Sequence, residues 1–165
     1  SKIKQMIVTL QLLFLCTLIM IFMQDLKERK VSLFLLLVGI LFGGFLHFYA
    51  QNTMVFLSNI VMNLSFVVLI FLILWLYSKL KIKKSIFSVF GFGDLLFFIL
   101  LGVSLPMLSF LVVFVASLIF SLAIFLLLKK SLTKDTVPLA GFQALFLSLV
   151  IISNEVMSSI DLYAL

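Results

Sequence analysis

The chain has 165 residues, 65% of them hydrophobic and 11% charged, with 20 Phe and a mean hydropathy of +1.40. No soluble domain of this length can hide so much apolar surface, and the apolar runs are too long and too little alternating for barrel strands, so the composition points to a polytopic α-helical membrane protein. The formal charge of +6 falls largely in short loops between apolar runs, where membrane orientation places it, so no nucleic-acid partner is read from it.

In chain order, the first predicted helix runs from about Gln5 to Gln24 and ends at Asp25-Leu-Lys-Glu-Arg-Lys30. That charged ending is unlike a cleavage site, so the run reads as a retained helix rather than a signal peptide. Cys16, the single cysteine, lies inside it and reads as a small packing residue. With one cysteine, an intramolecular disulfide and a cysteine-based metal site are both excluded. The second helix covers Val31 to Ala50, where Gly39 and Gly43 offer a small-residue face for close helix contact. His47, near its far end, reads as an interfacial histidine with no second metal ligand nearby.

The third helix covers Met54 to Ser78, with Asn59 and Asn63 one turn apart and suited to hydrogen bonds with a neighbouring helix. Trp75 and Tyr77 precede Lys79-Leu-Lys-Ile-Lys-Lys84, an aromatic-then-basic ending that marks a membrane interface. An apolar run from Ser85 to Leu105 follows, broken by Gly91-Phe92-Gly93-Asp94. The fifth helix takes Met107 to Leu128, and the sixth opens at Val137-Pro138, with proline placed in a first helical turn, and fades near Asn154. Neither a linker nor an internal repeat interrupts the chain, which predicts one domain over residues 1–165: an all-α bundle of six transmembrane helices. The three loops after the first, third and fifth helices carry ten of the 12 Lys and Arg, which assigns them to the cytoplasm and both termini to the outside.

Asp94 is the residue that needs explaining. A charge at the centre of a membrane helix costs about 2.5–3.5 kcal/mol, so it requires a partner, a hydrated cavity or a function. The two glycines before it favour a non-helical step within Phe90–Gly93, which would bring Asp94 nearer the membrane surface than an unbroken helix would. The assigned topology then places Asp25 and Asp94 on the same side. Two neighbouring carboxylates share a proton, and such a pair can activate water with one member while the other polarises a peptide carbonyl, with no metal and no cofactor. Asp25, set among Lys27, Arg29 and Lys30, equally fits a solvated charge at a helix end.

Asp25-Leu-Lys-Glu-Arg-Lys-Val-Ser resembles the type IV prepilin peptidase pattern of an Asp, basic residues, a branched aliphatic and Pro-Asn. Gly91-Phe-Gly-Asp94 is similar to that family's Gly-x-Gly-Asp, and Val137-Pro138-Leu-Ala-Gly-Phe142 resembles its proline-containing opening of the sixth helix. The chain departs from the pattern at Ser32-Leu33, where Pro-Asn is usual, and at Leu96, where the family has Lys. The resemblance is to a short form without the N-methyltransferase region. It implies an aspartic endopeptidase of the cytoplasmic membrane in which Asp25 and Asp94 are catalytic and Gly91, Gly93 and Pro138 shape the site. The implied partners are the lipid bilayer and a pilin-like precursor, whose basic leader is removed at the cytoplasmic face. The residues alone also admit a non-catalytic assembly factor that binds pilin-like helices, or a small transporter using Asp94 as an ion site.

Overall fold

The computed structural model describes residues 2–82, 91–128, 137–157 and 162–163. The basic loop positions Lys83, Lys84, Lys129, Lys130 and Lys134, together with Phe90, lie outside the described residues. Six α-helices are present among those described: α1 (Lys2–Glu28), α2 (Leu33–Ala50), α3 (Thr53–Tyr77), α4 (Phe92–Ser104), α5 (Met107–Leu128) and α6 (Leu139–Met157). Helix α3 continues into a π-helical turn, Ser78–Ile82, at whose start the Lys79 ammonium lies 4.9 Å from the centre of the Trp75 ring.

Helices α1, α2, α3 with its extension, and α5 are each long and apolar enough to cross a membrane, while α4 and α6 are shorter apolar helices. Large apolar side chains cover the outside: Phe34, Leu41, Met54, Val61, Ile73, Val112, Ile119 and Leu127 are all exposed. A surface of this kind suits lipid rather than water.

The interior explains the order of packing. Helix α4 contacts α2, α3, α5 and α6, and α1 packs against α2 and α6. The α4 residues Phe97, Phe98, Leu100 and Leu101 are buried together with Phe14, Leu18 and Ile21 of α1 and Phe110 and Phe114 of α5. Small residues permit the close approach of α2 to α4. A side chain at Gly39 would meet Leu100, and one at Gly43 would occupy the space that Ser104 fills. The small-residue face read from the sequence is therefore a helix contact.

Three local readings are corrected. His47 is not interfacial: it is fully buried, edge-on to Phe56 at 4.9 Å, because its ring is consumed in a contact with α4. Cys16 is exposed rather than packed inside, since it lies on the outward side of α1. Pro138 immediately precedes α6 instead of lying in its first turn; its carbonyl accepts the Phe142 N–H at 3.0 Å, as a capping residue's does.

Candidate active site

The site forms where three helix ends meet: the last turn of α1, the first turn of α4 and the first turn of α6. Each end leaves backbone groups that its own helix cannot satisfy, four N–H groups at a start and four carbonyls at a finish. Helix α6 opens after Val137-Pro138, and the Leu139 N–H is used locally on the Val137 carbonyl at 3.0 Å. The next two N–H groups go to the two aspartates. Ala140 donates to Asp94 Oδ1 at 2.9 Å, and Gly141 donates to Asp25 Oδ2 at 2.7 Å. Residues far apart in the chain are thus held by adjacent peptide groups, at the positive end of the α6 dipole.

Asp25 lies in the last turn of α1 and is 6% exposed, so the solvated-charge reading of this residue does not hold. Arg29 ends the helix with φ 56°, its N–H bonded to the Asp25 carbonyl at 3.0 Å. That left-handed stop is usually made by glycine. It turns the chain sharply toward α2, where Gln24 Oε1 accepts the Ser32 N–H at 2.9 Å and pins the link beside the site.

Asp94 is half-buried in the first turn of α4, which Gly91 caps. The Gly91 carbonyl accepts the Asp94 N–H at 3.1 Å, and the Asp94 carboxylate in turn accepts from the Gly91 N–H. With Asp at the third helical position, its carboxylate reaching back to the N-cap N–H is the half of a capping box that a glycine N-cap allows. The expected non-helical step is present at Gly91, with φ −66° and ψ 140°, and the helix begins at Phe92, so Gly93 is already helical. Any residue can adopt that backbone, and so the requirement at Gly91 is for space: a Cβ there would stand 3.0 Å from Asp94 Oδ2. Gly93 differs, since a Cβ at that position would meet Val31 at an ordinary 3.7 Å.

The five residues singled out in the sequence therefore assemble unequally. Asp25 and Asp94 converge on adjacent N–H groups at the α6 start. Gly91 borders Asp94, and Pro138 sets up the α6 start, while Gly93 lies beside the α1–α2 link. Leu96, where the family pattern has lysine, is a half-buried apolar residue packed on the core. The residues the sequence reading did not assign are Ala140 and Gly141, whose N–H groups clasp the carboxylates. Two small residues closely following a helix-opening proline are the signal that could have found them. Gly141 has to be small, because a Cβ there would lie 3.0 Å from both Cβ and Oδ2 of Asp25. Among the described residues, no group of three or more His, Cys, Asp or Glu could hold a metal ion.

A sequence model of the type IV leader peptidase family matches residues 12–128, which include both aspartates. No curated protein and no solved structure matches the chain.

Proposed function

The chain belongs to the type IV leader peptidase family, and from that premise we propose that it is a membrane aspartic endopeptidase in which Asp25 and Asp94 cleave the leader of a pilin-like precursor. The observation that carries this reading is the clasp: the adjacent N–H groups of Ala140 and Gly141 hold Asp94 Oδ1 at 2.9 Å and Asp25 Oδ2 at 2.7 Å, which fixes the two carboxylates side by side at one helix start.

The pair works with one shared proton. The ionised carboxylate takes a proton from water as its oxygen attacks the scissile carbonyl carbon. The protonated carboxyl gives its hydrogen to the carbonyl oxygen, forming a neutral tetrahedral diol. Collapse of the diol breaks the C–N bond: one hydroxyl proton returns to the carboxylate that had donated, and the other carboxyl passes the proton it took from water to the leaving amine, which restores the pair with its one proton. Backbone donors suit this cycle because they hold the carboxylates in place without titrating. The basic loops orient the site toward the cytoplasm, where a basic leader meets the acidic pair while the precursor's apolar helix lies in the bilayer against the bundle.

The test is co-expression with candidate precursors from the same genome, read as leader removal on a gel. Asp25→Asn and Asp94→Asn are each expected to abolish cleavage while the protein remains expressed and folded. The double variant is expected to be no worse than either, because a pair sharing a proton acts as one unit. Glu28→Gln, at a neighbouring acid, should stay near the parent. Full cleavage by either single aspartate variant would refute the mechanism.

A further inference from the structure

Helix α4 has 13 residues and is therefore about 20 Å long, well short of the roughly 30 Å thickness of a bilayer core. One end carries Asp94. The other end stops inside the protein: Leu101, Gly102, Ser104 and Leu105 are all buried, and Leu105 turns extended into Pro106. A helix that finishes in an apolar interior leaves its last carbonyls without partners, and water cannot supply them there.

Two side chains from other helices answer this need. Asn63 of α3 is 1% exposed and donates both amide hydrogens, one to the Gly102 carbonyl and one to the Leu105 carbonyl, each at 2.8 Å. His47 of α2 is 0% exposed, and its Nδ1 lies 2.9 Å from the Val103 carbonyl. A carbonyl only accepts, so Nδ1 carries the hydrogen of this bond. Three carbonyls at the α4 terminus are thereby tied to two neighbouring helices by groups that have no contact with the aspartates. Asp94 and Val103 are nine residues apart on one helix, or about 14 Å along its axis.

We propose that Asn63 and His47 are positioning residues for the proteolytic site: by capping the buried end of α4 they set the depth and rotation of that helix, and hence the place of Asp94 beside Asp25. An α-helix of this length transmits position as a rigid rod, so a shift at its capped end reaches the first turn almost undiminished. The inference rests on the proposed role of Asp94, and its test separates the two.

A cysteine pair reports the position of α4 without any need for activity. A Cβ at Gly93 would lie 3.7 Å from Val31 Cβ, within the range of about 3.5–4.5 Å that a disulfide bridges. In a Cys16→Ser background, Val31→Cys with Gly93→Cys should cross-link readily. Adding His47→Leu should slow cross-linking by about threefold to about twentyfold, the equivalent of one interhelical hydrogen bond in a membrane, and Asn63→Leu, which removes two, by at least as much. His47→Asn, which keeps an N–H donor near the Nδ1 position, should recover most of the parent rate. Ser121→Ala, a buried polar change on α5 that does not involve α4, should leave it unaltered.

In the protein without the cysteine pair, the same Leu variants should lower kcat by a similar factor with KM near the parent's. Parent-like cross-linking in both Leu variants would overturn the proposal, as would an equal loss in Ser121→Ala. Failure of the starting cysteine pair to cross-link would remove the register on which it stands. Slowed cross-linking in a protein that cleaves no precursor would uphold the positioning role and reject the proteolytic reading instead.

Discussion

Gly141→Ala tests the clasp most directly, because it adds one carbon and no charge. That carbon would lie 3.0 Å from Asp25 Cβ, 3.0 Å from Asp25 Oδ2 and 3.4 Å from Asp25 Cγ. Distances this short force the neighbour to give by a few tenths of an ångström. Asp25 has little freedom to do so, since its carboxylate is 2.7 Å from the Gly141 N–H and the residue is 6% exposed. A misplacement of 1 Å in reacting groups costs about a hundredfold in rate, so roughly half that displacement predicts about a tenfold fall in kcat. Stability should change little, because the preference for alanine over glycine in a helix, up to about 1 kcal/mol, offsets the cost of the crowding. The assay is leader cleavage by purified protein in liposomes, with thermal unfolding in detergent measured in parallel. A variant with the parent's kcat would refute the reasoning, and so would one whose lost activity tracked an equal loss of folded protein.

Further expectations concern the glycine motif and the topology. Gly91→Ala should impair cleavage by crowding Asp94 Oδ2, whereas Gly93→Ala should fold with the parent's stability, its new Cβ making only ordinary contact with Val31; equal thermal and kinetic behaviour of the two variants would contradict this. For topology, cysteines placed at Lys30 and Lys79 in a Cys16→Ser background should label from the cytoplasmic side, and one at Asn52 from the outside. All three positions are exposed, and labelling of all three from one side would overturn the assigned orientation.

The α1–α3 and α5 spans were legible along the chain because a bilayer demands long apolar runs and punishes interruptions, which makes their existence a matter of composition and length. Helix α5 begins where the run of apolar residues does, at Met107. Asp94 was legible for the same reason, as the charge that such a run should not contain. The non-helical backbone at Gly91 was also readable, although its physical basis turned out to be room for a carboxylate rather than an unusual backbone angle.

Burial and partnership depended on which helix ends meet, and no local pattern encodes that. Asp25 could be read as a solvated charge or as half of a pair. Only the arrival of the α6 N-terminus, far along the chain, buries it and supplies the Gly141 N–H. His47 looked like a residue of the interface because its own helix ends nearby, and it is buried because α4 stops short beside it and its ring bonds the Val103 carbonyl. The sequence by itself determines where apolar helices form and which charges they cannot carry freely. The tertiary structure decides which orphaned backbone groups those charges and amides satisfy, because such groups exist only at helix ends and find partners only where other helices are packed against them.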